Sequence, residues 1–456
     1  MRALVFFLSL VLAFLILLKF YSDPAGGESP EEDLVEATEG APGRPRVRFL
    51  DPPGGGEVAE GFRREELSNR SPALDEVESA GAGTLAREAA PDVEQDVPEW
   101  LKGIELAPVR DDNELFLAAA VVHGTPEQVA LRAAAGPLER GLVAEAFSRA
   151  VAGDPRTALA KASELSEGAV TLREQGLLQA ALEGKPNTVR PLSAASEGPL
   201  ILAMEMGLLS RRADGFLENG AYRQAAQAFS DLLLAELNAP WAADHSTLAR
   251  FSEGLDRAQN HHRWNRKGEW SAVEIQVEDG DSLVAIRKRY VANYPDAALC
   301  TGLIQAANQL PEHAVIHRGQ TLRIPTDPVR ALVDLSARWC LLLLGDEVCG
   351  SWPVGIGRPG EETPPGEYEI CDKIENPPWA RIGQEIIPYG DLRNPLGTRW
   401  MGWSRESIKT SLGFHGTREP ESVGLASSDG CVRLVQSDIE RLFELLPIGG
   451  MVLVRE

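Results

Sequence analysis

The chain has 456 residues, 43% of them hydrophobic, which accommodates two or three domains with sizeable cores. Its formal net charge of −23 argues against a nucleic-acid-binding protein, because no dense Lys/Arg block would neutralise a phosphate backbone. Its five cysteines are too few and too irregularly spaced for a disulfide scaffold, and no CxxC pair or Cys/His cluster predicts a zinc site.

Residues 1–22 predict a transmembrane anchor. The run from Ala3 to Tyr21 is almost entirely apolar, follows an arginine and is long enough to span a bilayer. A cleaved signal peptide is the alternative, but the bulky residues Leu18–Tyr21 offer no small-residue cleavage site, so we favour an uncleaved anchor. Both interpretations place the rest of the chain outside the cytoplasmic membrane.

Residues 23–98 predict a disordered acidic linker. Between Pro24 and Pro98 there are 18 acidic and 7 basic residues among many prolines and glycines, a net charge of −11. Such a segment cannot bury enough apolar surface to fold. As a tether of about 75 residues it would have an r.m.s. span of roughly 50 Å.

Residues 99–265 predict an all-α region of helical hairpins. Ala/Leu-rich blocks with helical spacing alternate with Gly and Pro, and Asp154-Pro155 is typical of an N-cap followed by proline at the first helical position. Leu217 to Leu237 carries one apolar stripe. Gly220–Ala226 resembles half of a tetratricopeptide repeat, without a second copy at a fixed period. Binding of a protein partner and a simple spacer role both explain this region.

Residues 272–326 resemble a LysM module, in the order strand, helix, helix, strand. Ile275–Leu283 predicts a strand and a turn in which Asp281 can cap the next helix, and Gly319–Pro325 predicts the last strand. The middle, Val291–Thr301, is longer than the family usually has. The resemblance implies a small α+β fold that binds N-acetylglucosamine-containing glycan such as peptidoglycan. A packing module without a ligand is the alternative.

Residues 330–456 predict a mainly-β domain with one late helix. Cys340 and Cys349 flank a predicted turn at Gly345-Asp346, so a disulfide and two unpaired thiols both remain open. The segments bounded by turn residues that predict strands are Cys340–Leu344, Glu347–Val354, Gly366–Cys371 and Met451–Val454, and the helix is Ser437–Leu446.

Cys431 and His415 are the candidate nucleophile and base. A cysteine nucleophile needs a nearby base that takes its proton, and His415 precedes Cys431 by sixteen positions. Gly430 leaves the backbone beside the thiol unencumbered, so that N–H groups there can face a developing oxyanion. Taken singly, a cysteine or a histidine in a β-rich core is most often an ordinary packed residue.

The segments around these two residues resemble the catalytic domain of the L,D-transpeptidases over about Ala331–Glu456. His415-Gly416-Thr417 precedes Ser428-Asp429-Gly430-Cys431-Val432-Arg433 at the spacing of that family. Asp429 stands where many members carry His, and an acid beside the nucleophile disfavours the thiolate, which leaves an inactive homologue as an alternative. The upstream segments that follow the family's order are Pro353–Gly357, Thr363–Tyr368 and Asn394–Trp400.

The resemblance implies a cysteine acyltransferase that acts on peptidoglycan stem peptides. Cys431 would attack the donor carbonyl, His415 would carry the proton, and the Gly416 carbonyl would orient the imidazole. Arg433, Ser428 and Gly430 are expected at the substrate, with Arg433 either holding a carboxylate or forming a structural ion pair. An amine acceptor gives an L,D cross-link, whereas water gives L,D-carboxypeptidase action. Neither a metal nor an organic cofactor is expected.

The sequence therefore predicts a multidomain, single-pass protein of the cell membrane with its catalytic domain in the periplasm or cell wall. Its expected partners are peptidoglycan, the membrane through one N-terminal helix, and a protein partner for the helical region, but no nucleic acid. The rival hypothesis from another class is a non-catalytic peptidoglycan-binding scaffold, in which the C-terminal domain has lost activity.

Overall fold

The computed structural model describes residues 112–185, 198–264, 268, 270–294, 297–311, 313–380 and 385–456. The predicted anchor (1–22), the predicted linker (23–98) and the first residues of the helical region lie outside the described part. Within the described residues, no helix combines the length and the apolar character that a membrane crossing requires.

Helices occupy the first half of the described chain. The predicted cap is confirmed, because the Asp154 carboxylate accepts the Thr157 amide at 3.3 Å and Pro155 opens the helix. Two other helices begin with a capping box, at Thr125 and Thr171. The helices are α1 Asp112–His123, α2 Pro126–Ala133, α3 Leu138–Val151, α4 Pro155–Ala162, α5 Leu172–Leu182, α6 Pro199–Glu218, α7 Tyr222–Leu237 and α8 His245–His262.

The apolar stripe predicted between Leu217 and Leu237 is buried on α7. Ala225, Ala228 and Phe229 are at most 3% exposed. Ala221, which the prediction placed on the same stripe, is instead the cap residue before the helix and is partly exposed. The difference arises because the preceding Gly220 adopts a φ of 71°, so the helix starts one residue after Ala221.

The next segment has the predicted order strand, helix, helix, strand, here called the α+β module. It comprises β1 Ala272–Gln276, α9 Leu283–Asn293, α10 Thr301–Asn308 and β2 Thr321–Pro325, with β1 antiparallel to β2. The predicted cap at Asp281 is wrong: Ser282 precedes α9 directly, and its hydroxyl accepts the Ala285 amide. Asp281 instead binds the Glu278 amide and Arg289.

The C-terminal part is built on an eight-stranded mixed sheet. The four predicted strands and the late helix are present with small shifts at their ends, and further strands were not predicted. The elements are β3 Val329–Asp334, β4 Trp339–Leu344, β5 Glu347–Pro353, β6 Ile356–Gly357, β7 Gly366–Glu375, β8 Arg399–Arg405, β9 Ile408–Gly416, β10 Ala426–Ser428, β11 Val432–Leu434, α11 Gln436–Leu445 and β12 Met451–Arg455. The sheet has the strand order β11-β9-β8-β7-β12-β3-β4-β5. β6 and β10 form a separate parallel pair.

The helical region and the sheet share one hydrophobic core. Leu341 and Leu343 of β4 pack with Phe229 of α7 and Phe251 of α8. The alternate residues of β4, among them Leu342, belong to a second core that includes the α+β module and α11. Because side chains alternate along a strand, β4 is apolar on both faces and covered on both. The helical region is therefore a packed layer on the sheet rather than a detached spacer.

A chain of hydrogen bonds crosses the contact between α8 and the sheet. The Trp339 indole donates to the Ser351 hydroxyl at 2.7 Å, and Ser351 lies 2.7 Å from the Ser252 hydroxyl. Ser252 in turn donates to the Leu248 carbonyl at 2.8 Å. Because each polar atom in this buried network has a hydrogen-bond partner, the contact is held by oriented hydrogen bonds as well as by apolar packing.

All five cysteines are unpaired. Cys340 and Cys349, for which the sequence left a disulfide open, are buried free thiols in neighbouring strands. The strand register places Cys340 opposite Trp352 rather than opposite Cys349.

Candidate active site

Two neighbouring parallel strands bring the candidate nucleophile and base to one face of the sheet. β9 carries His415 near its end, and Cys431 lies directly before β11. In the pairing of these strands Val432 is opposite Phe414, and both side chains are fully buried in the core. Because side chains alternate, Cys431 and His415 point to the opposite face from Val432 and Phe414. The structure therefore places the two predicted residues on the same face, one position to either side of that pair.

His415 is held as a neutral base. Its Nδ1 lies 2.6 Å from the Gly416 carbonyl, which can only accept a hydrogen bond, so the proton is on Nδ1 and the lone pair is on Nε2. Burial lowers the pKa of His415 to about 4, and the nearby Arg433 cation lowers it as well, while the bond to Gly416 opposes them. At neutral pH the imidazole is uncharged and can accept a proton.

Cys431 is held as a neutral thiol. Burial raises the pKa of Cys431 to about 11, the Gly413 amide and Arg433 lower it, and Asp429 raises it slightly further. The thiol donates a hydrogen bond to the Ser411 carbonyl at 3.6 Å. Both partners of the predicted dyad are described, and no hydrogen bond joins them in this state. Proton transfer therefore requires the thiol hydrogen to turn from Ser411 towards the imidazole.

A tight turn presents Cys431. The Ser428 hydroxyl donates to the Cys431 carbonyl at 2.6 Å and accepts the Gly430 amide at 3.1 Å, and Ser428 is only 1% exposed. Gly430 has a φ of 102°, a conformation that favours glycine. Thr363 donates to the Gly430 carbonyl at 2.9 Å. The sequence predicted Ser428 and Gly430 at the substrate, whereas the structure commits the Ser428 hydroxyl and the Gly430 amide to the turn.

The Asp429 carboxylate is partly exposed and lies beside a cation. It forms an ion pair with Arg358 at 2.8 Å, and both side chains are about half exposed. The Arg358 amide also donates to the Ser428 carbonyl at 2.9 Å, so this arginine is held next to the turn. A carboxylate neutralised by a neighbouring cation perturbs the thiol less than an isolated one. Arg358 was not identified from the sequence, since it lies 71 positions before its partner.

Arg433 lies opposite His415 in the parallel pairing. Its backbone exchanges two hydrogen bonds with Gly355, at 2.9 and 2.8 Å, which fixes β11 between β9 and that residue. The Nε atom of Arg433 is buried, and no described residue accepts its hydrogen. A partly exposed arginine with a buried, unused Nε donor on the face of Cys431 is suited to an anionic group of a ligand.

Gln436, at the start of α11, connects the catalytic segments and was not identified from the sequence. Its Oε1 accepts the amide and hydroxyl of Thr398 at 3.1 and 2.8 Å, and its Nε2 donates to the Thr417 carbonyl at 3.2 Å. A Cβ on Gly416 would lie 2.6 Å from Gln436 Oε1. Glycine at position 416 is therefore required for this close approach, in addition to its carbonyl contact with the imidazole.

Trp400, the last residue of the segment Asn394–Trp400, is a second neighbour of His415, and the sequence did not predict this contact. It lies opposite His415 in the antiparallel pairing of β8 with β9, with the two ring centroids 6.2 Å apart. Among the described residues, no group of three or more His, Cys, Asp or Glu side chains is arranged to hold a metal ion.

Comparison with known proteins identifies the C-terminal part. Residues 328–454 match the family described as the L,D-transpeptidase catalytic domain, YkuD. YqjB of Bacillus subtilis (strain 168), which carries an L,D-transpeptidase name, is 33% identical over 134 residues, or 29% of this chain and 74% of YqjB. YkuD of the same strain, which also carries that name, is 28% identical over 188 residues, or 40% of this chain and 98% of YkuD.

Two solved structures are also similar. The catalytic domain of the E. faecium L,D-transpeptidase is 23% identical with a TM-score of 0.23, over 28% of this chain and 98% of that one. An L,D-transpeptidase from Mycobacterium smegmatis is 19% identical with a TM-score of 0.24, over 30% of this chain and 64% of that one, which is less than two thirds of its length. Because YqjB is one third identical over about three quarters of its length, the chain belongs to the L,D-transpeptidase (YkuD) family, with residues 328–454 as its catalytic domain.

Proposed function

We propose that this L,D-transpeptidase cross-links peptidoglycan stem peptides through a thioester on Cys431, with His415 as the general base. The observation that carries the proposal is the pairing of β9 with β11, which puts both side chains on one face beside the Arg433 guanidinium. A neutral thiol next to a neutral imidazole is a competent starting state for attack assisted by a general base.

The first half-reaction forms the acyl-enzyme. Cys431 Sγ bonds to the carbonyl carbon that precedes the terminal D-amino acid of a donor stem, and its proton passes to His415 Nε2. The bond to the terminal D-amino acid then breaks, and that proton leaves on the departing amine. The Gly416 carbonyl keeps the imidazole in the tautomer that this transfer needs. Arg433 is the proposed partner of a donor carboxylate, because its buried Nε has an unused hydrogen.

The second half-reaction releases the acyl group. A side-chain amine of a second stem gives up a proton to His415 and attacks the thioester carbonyl, and the same proton then restores the thiol. The product is an L,D cross-link. Water in the place of the amine gives a shortened stem and defines the L,D-carboxypeptidase alternative.

The remaining parts of the chain suit an enzyme tethered at its polymer. We propose that residues 1–22 anchor it in the membrane as a single-pass protein, that residues 23–98 act as a tether, and that the catalytic domain works outside the cytoplasmic membrane. The α+β module is proposed to bind glycan, as its resemblance to LysM implies. Holding the enzyme on its polymer raises the effective concentration of stems near Cys431.

The test is incubation of the full-length chain with purified tetrapeptide muropeptides, followed by mass spectrometry of products and of the intact protein. We expect cross-linked dimers and a transient acyl adduct on Cys431, both absent in Cys431→Ala and His415→Ala. Cys371→Ala is the matched control, since Cys371 is another partly exposed free thiol. Shortened monomers alone would select the carboxypeptidase. Absence of both products, with binding to peptidoglycan retained, would select the scaffold.

A further inference from the structure

His415 lies between two side chains from neighbouring strands. Arg433 is opposite it on β11, and Trp400 is opposite it on β8. The indole and imidazole rings form an offset stack, with centroids 6.2 Å apart and planes inclined by 25°. The imidazole therefore has a cation on one side and an aromatic ring on the other.

The position of Trp400 is fixed by Asp372 of β7. The indole Nε1 donates to Asp372 Oδ1 at 2.9 Å, and the Gly402 amide donates to the same oxygen at 3.1 Å. Lys409 binds the other carboxylate oxygen. The register of β7 against β8 shifts between residues 370 and 372, which brings the Asp372 carboxylate up to the indole.

Gly413 of β9 leaves space for the indole because glycine has no side chain. A Cβ on Gly413 would lie 3.0 Å from Trp400 Cη2 and 2.4 Å from the Met401 carbonyl oxygen. Gly413 also supplies the amide that lowers the pKa of Cys431. The glycine thus lets an aromatic ring and a thiol approach the same stretch of β9.

Proton transfer creates a charge that this site otherwise disfavours. When His415 takes the thiol proton it becomes a buried imidazolium, and the Arg433 cation opposite repels it. Further charged groups of this site are Asp372 and Lys409, which are bonded to each other, and Asp429, which acts on the Cys431 thiol and is paired with Arg358. An aromatic face within about 6 Å attracts a cation, most strongly when both are desolvated. A carboxylate that accepts the indole N–H makes the ring a better partner by polarising it.

We propose that Trp400, anchored by Asp372, is a positioning residue that stabilises protonated His415 while the Cys431 thiolate attacks. This rests on the base assigned to His415 in the proposed function. The proton moves only from Cys431 Sγ to His415 Nε2, so no further reactant is required. Trp400 acts through His415 and has no bond to the substrate.

The test measures alkylation of Cys431 by iodoacetamide in the full-length chain between pH 6 and 10, with mass spectrometry of the Cys431 peptide. We expect Trp400→Leu to lower the rate at pH 7 about tenfold, because the aromatic face is lost. Trp400→Phe keeps an aromatic ring but cannot donate a hydrogen bond to Asp372, so its alkylation rate at pH 7 should fall about threefold. At pH 10 the rates should approach one another, since the thiol then loses its proton increasingly to hydroxide without the help of His415.

Matched variants separate this role from packing. Trp352→Leu makes the same chemical change at the opposite edge strand, β5, and should leave the alkylation profile unchanged. Asp372→Asn keeps a hydrogen-bond acceptor for the indole but removes the charge. Its alkylation rate at pH 7 should lie between those of wild type and Trp400→Leu. Two results with folded Trp400→Leu protein would overturn the proposal. One is a wild-type alkylation rate at pH 7, and the other is a rate that falls by the same factor at pH 7 and at pH 10.

The alkylation experiment distinguishes a failure of the positioning role of Trp400 from a failure of the proposed function. Alkylation needs no peptidoglycan, so a loss confined to neutral pH in Trp400→Leu supports the positioning role even if muropeptides give no product. If His415→Ala alkylates as fast as wild type at pH 7, His415 is not the base and the role of Trp400 is refuted with it.

Discussion

Arg433 lies directly opposite His415 in the parallel pairing of β11 with β9. The same cation lowers the pKa of the imidazole and the pKa of the Cys431 thiol. It therefore favours the thiolate and disfavours the imidazolium, two effects that oppose each other in a dyad. A residue placed this way is better suited to holding a negative group of the substrate than to activating the base.

Replacement of Arg433 by glutamine tests this assignment. We expect kcat/KM for tetrapeptide donors to fall by about ten- to a hundredfold, mostly through KM, because a charge-assisted hydrogen bond to a donor carboxylate is lost. The acid limb of the pH profile should move to higher pH, since removal of the cation raises the pKa of His415. Steady-state kinetics between pH 4 and 8 measure both effects.

The control for this variant is Arg358→Gln. Arg358 is an arginine near Cys431 that is paired with Asp429 and half exposed, so its loss should change kcat/KM by only about threefold. Unchanged KM and an unmoved acid limb in Arg433→Gln would leave Arg433 with a structural role.

Ser428 distinguishes positioning of the nucleophile from contact with the substrate. Because its hydroxyl bonds to the Cys431 carbonyl and the Gly430 amide, we expect Ser428→Ala to lower kcat about tenfold with little change in KM. Ser427→Ala, one position earlier in the same strand, is the control. A higher KM with unchanged kcat would instead support the contact with substrate that the sequence predicted.

The candidate catalytic residues could be identified because their signal is local in the chain. His415, Gly416 and Cys431 stand in two short motifs, and the structure brings both motifs to adjacent strands. Trp400 could not be assigned a place beside His415, because that contact depends on how β8 pairs with β9, and a shift of one residue would turn the indole to the other face. The register near Trp400 is set by a bulge that leaves no clear mark in the sequence.

The sequence also could not predict which surface the helical region covers. Helical spacing and the cap at Asp154 predict helices, but an apolar stripe does not identify the surface that covers it. The strand Trp339–Leu344 is apolar throughout and buried on both faces in the structure. The hydrogen bonds from Ser252 to Ser351 and from Gln259 to Val348 show that α8 is the layer on one of those faces.

The contact between α8 and the sheet can be measured at Ser351. We expect Ser351→Ala to reduce the free energy of unfolding by about 2 kcal/mol, because the buried Trp339 indole and Ser252 hydroxyl each lose a partner. Urea denaturation of the full-length chain gives this value. Ser437→Ala, at an exposed serine, should cost less than about 0.5 kcal/mol.

A double-mutant cycle assigns the loss to the contact itself. If Ser252→Ala and Ser351→Ala have additive effects on the free energy of unfolding, the two hydroxyls do not interact across the layers, and the helical region is held by apolar packing alone.

The burial of His415 has a consequence for stability in acid. Burial lowers its pKa from the ordinary 6.5 to about 4, so the folded protein binds fewer protons than the unfolded chain between these values. The stabilisation from this group is complete above pH 6.5 and is lost as the pH falls towards 4, by roughly 3 kcal/mol.

Urea denaturation of wild type and His415→Gln at pH 7.5 and pH 4.5 measures this loss of stability. We expect the wild type to lose more stability than His415→Gln over this interval, whereas His317→Gln, at an exposed histidine, should follow the wild type. Equal losses in wild type and His415→Gln would mean that solvent reaches the imidazole in the folded protein, and a base with its ordinary pKa would be largely protonated below pH 6.5.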